Sequence, residues 1–326
     1  MFGRIAMLTL LVQVATPGSG CAANPEKMSA ETAPAKVYMT RDISPAGLKA
    51  VYEALERKAI GKKVAVKLST GEPGGHNFLQ PALIGEFVRS IDGTIVECNT
   101  AYGGGRAATA DHLKAAADHG FTAIAPVDIM DADGEVRLPV KDGRHLAYDI
   151  VGAHFPEYDF TVVLSHFKGH IMGGFGGAIK NIAIGIASSA GKAWIHSAGK
   201  TTDVSKVWGD LPPQDDFLES MAEAAKAIVD HCGDRILYIS VMNNLSVDCD
   251  CDAHPEPPRM ADIGILASLD PVALDKACVD LVYASSDEGK VHLIERMESR
   301  NGIHTLEHAE ALGIGSQQYE LVDLDK

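Results

Sequence analysis

Residues 160–170 read Phe160-Thr161-Val162-Val163-Leu164-Ser165-His166-Phe167-Lys168-Gly169-His170. The first five form a continuous run with β-branched residues at its centre, the pattern of a strand buried on both faces in a helix-covered parallel sheet. The run stops at a polar, glycine-containing segment, and the loops that leave buried strands are where α/β folds place ligands. Outward from it, strand and helix patterns alternate. Strands are predicted over 37–39, 63–68, 94–98, 236–241, 263–267 and 319–322. Helices are predicted from Ser44-Pro45 to about 58, over 79–91, from a Thr109 cap to 118, over 216–231, from an Asp270-Pro271 start to 282, and over 291–312. Ser44 and Asp270 are good caps because their oxygens accept free first-turn N–H groups, and Pro suits the first helical position. The Asp133-Gly134 and Asp142-Gly143 dipeptides within 122–150 predict a hairpin. The sum is an α/β fold, a mixed and largely parallel sheet flanked by helices. A change of composition near 200–215 marks either a boundary between two lobes or a surface loop. There are no internal repeats.

The chain has 326 residues, 46% hydrophobic, enough for a large core in one or two domains. A formal net charge of -15 argues against binding to nucleic acid phosphates. No run of about 18 apolar residues follows the N-terminus, so no spanning helix is expected there. At the start, Arg4 precedes an apolar run over 5–15 and then Pro17-Gly18-Ser19-Gly20-Cys21. This reads as a signal peptide over 1–21 with lipid attachment at Cys21, a disordered tether over 22–35, and a folded domain over 36–326. The expected location is then the periplasm or a membrane-anchored lipoprotein; a start near residue 36 would make the protein cytoplasmic. The six cysteines form no regular disulfide framework and no C-x-x-C motif, which speaks against a local ferredoxin-type cluster.

The segment that opens at Ser165 continues through Gly173, Gly174, Gly176, Gly177, Lys180 and Asn181 to His196. The four glycines let backbone approach an anion or a planar ring. His166, Lys168 and His170 are costly to bury without partners, and a neutral histidine there can transfer protons or ligate a metal. A desolvated Lys180 can act as an anchor or nucleophile. A second candidate is Asp248-Cys249-Asp250-Cys251-Asp252-Ala253-His254: two thiols at i and i+2 with a nearby His can hold a soft or borderline metal. A vicinal-type disulfide and a solvated acidic turn are the other readings of that stretch. Glu72 and His76, in a glycine loop after a strand, are secondary candidates. His231, His292, His304 and His308 lie on predicted helices and read as structural or solvated.

The stretches VKLSTGEPG, TIVECNTAYGGGR, LSHFKGHIMGGFGGAIKN, DCDC and DIGILASLDPVALD resemble domain-of-unknown-function family 362, known as uncharacterised iron–sulfur centre proteins, over residues 36–326. Many relatives carry a ferredoxin-type insertion after the stretch matching Trp194 to Ser197; here residues 199–215 contain no Cys, so the iron–sulfur label is not expected to transfer. More distantly, the order Lys168-Gly169-His170, Lys180, His196 resembles the core of nickel-pincer lactate racemases. That resemblance implies His170 as acid/base catalyst, Lys180 as tether of a pyridinium-derived cofactor and His196 as nickel ligand. It would put Arg106 and His112 near a second catalytic pair. The expectation is therefore a metal- or cofactor-dependent enzyme doing proton or hydride chemistry on a small polar or carboxylate substrate, with nickel, or else iron or zinc. The rivals are a non-catalytic metal-binding or redox protein working through Cys249, Cys251 and His254 with a redox partner, and a periplasmic binding protein.

Overall fold

The computed structural model describes residues 33–326, so the expected signal peptide, Cys21 and most of the tether lie outside the described residues. Residues Pro34–Lys326 form one compact unit. The strands are β1 (Ala35–Thr40), β2 (Val64–Lys67), β3 (Gly93–Glu97), β4 (Val127–Ile129), β5 (Glu135–Pro139), β6 (Tyr148–Gly152), β7 (Phe160–His166), β8 (Lys168–His170), β9 (Gly174–Gly176), β10 (Ile236–Met242), β11 (Gly264–Ser268) and β12 (Tyr319–Asp323). The helices are α1 (Pro45–Ala54), α2 (Pro81–Ser90), α3 (Thr109–Asp118), α4 (Ala178–Ile186), α5 (Ser189–His196), α6 (Gln214–Cys232), α7 (Pro271–Ala284), α8 (Lys290–Ser299) and α9 (His304–Ala311).

Eight strands make the central sheet in the order β12-β1-β11-β10-β7-β2-β3-β4. The run from β10 to β4 is parallel throughout, and β11 is antiparallel to both its neighbours. Alternation along the buried strands sends side chains to two cores. Ala65, Val96 and Val163 meet α4, α6 and α7 on one face. Val66, Ile95, Val162 and Leu164 meet α1, α2 and α3 on the other. The α/β class is thus a three-layer fold with a mixed, mostly parallel sheet. The hairpin predicted within 122–150 is β5 paired with β6.

Local chemistry explains where the predicted bounds hold and where they shift. Ser44 accepts Gly47 N–H at 3.2 Å and Asp270 accepts Val272 and Ala273 N–H at 2.8 and 2.9 Å, so both helix starts stand as read. Thr109 is not a cap; it is already helical, and its hydroxyl accepts from Asn99 Nδ2 at 2.9 Å instead. The single helix read over 291–312 is broken into α8 and α9. Asn301 adopts φ 51°, a left-handed conformation that Asn tolerates and a helix interior does not. The 200–215 segment is a connection between α5 and α6 with one 3-10 turn at Val207–Gly209. No helix among the described residues is long and apolar enough to cross a membrane.

Candidate functional site

The parallel strands β2, β3, β7 and β10 end on the same side of the sheet, and the loops that follow them converge there. They enclose a cavity of about 520 Å³, the size of a small-molecule site. Lys67 comes from β2, Glu97 and Arg106 from the end of β3 and its loop, and Lys168 and His170 from β8 beyond β7. Gly176, Gly177 and Lys180 come from the β9–α4 junction, His196 from α5, and Cys249 and Cys251 from the loop after β10. The two candidate stretches of the sequence therefore share one cavity. His170, Cys249 and Cys251 offer ligand atoms that all lie within 4.8 Å of one another, a group that could hold a metal.

Asp250 is what joins the two stretches. Its carboxylate is buried, 2.9 Å from His166 Nδ1 and 2.8 Å from Lys168 Nζ. His166 also donates from Nε2 to the carbonyl of Asn243 at 2.6 Å, and Lys168 donates to the carbonyl of His166 at 2.9 Å. Both residues are thus committed to holding the cysteine turn, not free for acid–base work. Against the desolvation of burial, Asp250 holds the Lys168 ammonium above its ordinary range. Gly169 lets the two backbones touch: its N–H donates to Ser246 O at 2.8 Å, and a Cβ there would collide with the backbone of Val247.

Two histidines are left facing the cavity, in opposite tautomers. His170 Nδ1 accepts the N–H of Gly173 at 2.9 Å and of Met172 at 3.3 Å, so the neutral ring carries its proton on Nε2. His196 Nδ1 donates to Lys192 O at 2.7 Å, which leaves Nε2 as a lone pair without a hydrogen-bond partner among the described residues. Burial lowers the first ring to about 4 and the second to about 3, with the Lys180 ammonium acting in the same direction. Phe217 and Trp208 fix the His196 ring at centroid distances of 4.9 and 5.3 Å.

The sulfurs are unlike one another. The adjoining Cys251 side chain, with the nearby Lys180 and His170, holds Cys249 well below the ordinary thiol range, and the proximity of Cys249 pushes Cys251 up. Cys251 N–H also donates to Cys249 Sγ at 3.3 Å. Lys180 is half-buried and has neither a hydrogen bond nor an ion pair among the described residues. Its side chain lines the cavity near the Cys249 sulfur and is open to a ligand.

The remaining predicted residues divide clearly. Asn181 lines the cavity, but its amide stitches the strand ends, donating to Lys67 O and Ser165 Oγ, each at 3.1 Å. Gly176 and Gly177 line the cavity; Gly173 and Gly174 lie behind it. The first-turn N–H groups of α4 are not open to an anion, because Asp275 accepts Ala178 and Ile179 N–H at 2.7 and 2.9 Å and occupies the space over Gly177. Arg106 reaches the cavity but is saturated by Glu72, Glu97 and Tyr102. His112 is fully buried behind Glu97, whose Oε2 is 2.9 Å from His112 Nε2, and is not a lining residue. His254 and His76 are exposed and outside the cavity wall, so His254 does not complete the thiol pair.

Sequence reasoning missed Lys67, Glu97, Lys192, Asp250 and Asp275. Lys67 ends a fully buried strand, where a charge is conspicuous; burial lowers it to about 8, with Glu97 at 3.9 Å opposing. Lys192 is lowered by burial too, and donates to Ala187 O at 2.5 Å.

The profile of the family described as domain of unknown function (DUF362) matches residues 64–280. No match is found among curated proteins. Among solved structures, the lactate racemase apoprotein from Thermoanaerobacterium thermosaccharolyticum is similar at 19% identity and TM-score 0.39, over 63% of this chain and 50% of that one. A protein from Thermotoga maritima is similar at 13% identity and TM-score 0.38, over 82% of this chain and 58% of that one. The chain thus spans about half the length of these structures.

Proposed function

The chain belongs to the domain of unknown function (DUF362) family, and from that premise and the chemistry of its cavity we propose that it is a metal-dependent enzyme acting on a small carboxylate or similarly anionic substrate. The observation that carries the proposal is that an unpaired Lys180, a His196 with its Nε2 lone pair free, and the His170–Cys249–Cys251 group face one cavity. Two sulfurs and one imidazole suit zinc, iron or nickel, and three protein ligands leave a coordination position open, the mark of a catalytic site. The fit asks one thing of His170. Its Nδ1 is held by backbone donors, so a metal would bind at Nε2 in place of the proton there.

Such a metal would supply Lewis acidity or an activated water. The protein's own groups do the rest. Lys180 pairs with the substrate's negative charge. His196, kept neutral by burial, offers its Nε2 lone pair to a proton leaving the substrate. The Asp250–Lys168–His166 cluster keeps the sulfurs in place. Trp208, whose indole N–H donates to Ala101 O at 3.1 Å, closes the mouth beside His196. The resemblance to nickel-pincer racemases offers a finer version, with Lys180 as covalent tether and His196 as nickel ligand. Lys180 and His196 Nε2, both without a hydrogen-bond partner among the described residues, support it.

Elemental analysis and intact mass of protein purified without a metal-affinity tag test both versions. Near-stoichiometric metal, lost in Cys249→Ser and Cys251→Ser, supports the thiol-bound metal. Nickel with a mass adduct on Lys180, from a host that makes the cofactor, supports the pincer version. No metal in either the isolated or the zinc-reconstituted protein refutes the metal reading.

A further inference from the structure

The cysteine turn has a second chemistry. We propose that Cys249 and Cys251 form a reversible disulfide on reaction with a hydroperoxide, and that this bond removes the metal site. The regulatory half rests on the metal reading above; the sulfur chemistry does not.

The geometry comes from the turn itself. Asp252 N–H donates to Cys249 O at 2.9 Å, which closes the backbone over residues 249–252. The side chain between the cysteines, Asp250, is buried against His166 and Lys168. Both sulfurs instead line the cavity, within 4.8 Å of each other. Cys251 N–H already points at Cys249 Sγ. Closing from there to bonding distance takes side-chain rotation within one turn. The cavity is wide enough for a small oxidant. Cys98, Cys232 and Cys278 are buried and belong to no such group.

The reaction balances in two steps. The Cys249 thiolate attacks one oxygen of the hydroperoxide, the O–O bond breaks, and Cys249 becomes a sulfenic acid while the other oxygen leaves, taking a proton from solvent to become water or an alcohol. The Cys251 sulfur then attacks that sulfenic sulfur, and the oxygen departs as a second water carrying the Cys251 proton. Two thiols are oxidised by two electrons and one peroxide is reduced. A ring closed by cysteines only one residue apart is strained, and strained disulfides have the more oxidising potentials and are readily reduced again. That suits a switch and not a structural clamp. Once joined, neither sulfur is a thiolate, so two of the three ligands are gone.

The test uses the full chain, reduced and then treated with a small excess of hydrogen peroxide before alkylation. Expected is the loss of two alkylated thiols, mapped to the peptide holding Cys249 and Cys251 and restored by dithiothreitol. In Cys251→Ser, dimedone should trap a sulfenic acid on Cys249. Zinc uptake, measured in parallel, should weaken about tenfold or more on oxidation, since ligating sulfur must be a thiolate. Sulfinic acid at Cys249 without a disulfide, or both thiols still alkylated, would overturn the inference even if the reduced chain binds zinc. A disulfide that forms in a chain with no zinc affinity upholds the sulfur chemistry and refutes the metal reading alone.

Discussion

Lys168 Nζ and the Asp250 carboxylate stand 2.8 Å apart, both buried, across the junction of two segments that are remote in sequence. Breaking one partner of a buried pair leaves the other charge without compensation, at a cost of about 3–5 kcal/mol. Asp250→Asn should therefore lose stability of that order in urea unfolding, and the thiols of Cys249 and Cys251 should alkylate faster in the folded protein. A loss under about 1 kcal/mol would mean that the turn is held by other contacts.

Lys180 invites the opposite expectation. It has no ion pair or hydrogen bond to lose among the described residues, so Lys180→Ala should change stability by less than about 1 kcal/mol. Binding of small carboxylates, beginning with malonate in calorimetric titrations, should weaken about tenfold or more, the value of a charge-assisted contact. Unchanged carboxylate binding would remove Lys180 from the proposed role.

The two cavity histidines should differ in where the proton sits. Long-range proton–nitrogen NMR correlations should report an Nε2–H tautomer for His170 and an Nδ1–H tautomer for His196. Both rings should stay neutral on acidification until about pH 4 for the first and lower still, near 3, for the second. A ring titrating near its ordinary value of about 6.5 would contradict the burial that the fold imposes.

Asp275, under the start of α4, carries a pH dependence of known sign. Burial raises it to about 7, so the folded chain keeps a proton that the unfolded chain releases near 4. Stability from this group is present below about pH 4 and is lost as pH rises toward 7. Asp275→Asn removes that loss. The variant's stability relative to the parent should climb by about 1 kcal/mol per pH unit across this range, read from urea midpoints. A pH-independent difference would show that Asp275 is ionised in the fold.

Much of this architecture was legible from periodicity. The 160–164 run, the Ser44 and Asp270 caps and the glycine loop after a buried strand locate the sheet and the end of it where the cavity lies without any contact information. What stayed hidden is tertiary. Nothing local to Asp248-Cys249-Asp250-Cys251 says that Asp250 turns inward to His166 while the thiols turn toward His170, because that choice is made by a partner 84 positions away. His254 looked like a ligand by proximity in sequence, yet the turn leaves it exposed. The helix over 291–312 kept its periodicity through Asn301, where the left-handed backbone that breaks it leaves no pattern of hydrophobicity behind.

The seating of β1 bears on the order in which the chain can assemble. Val37 pairs with Ser268 on one side and Leu321 on the other, so β1, made before the other described strands, finds its neighbours only after β10 has been made. The parallel strands β2, β3, β4, β7 and β10 pair among themselves and can gather earlier. Until β11 arrives, β1 is an unpaired strand and β10 an open edge, both templates for wrong pairing. The nascent protein is thus most exposed to aggregation in the interval between the emergence of residues 242 and 264, and a holding chaperone would matter most there.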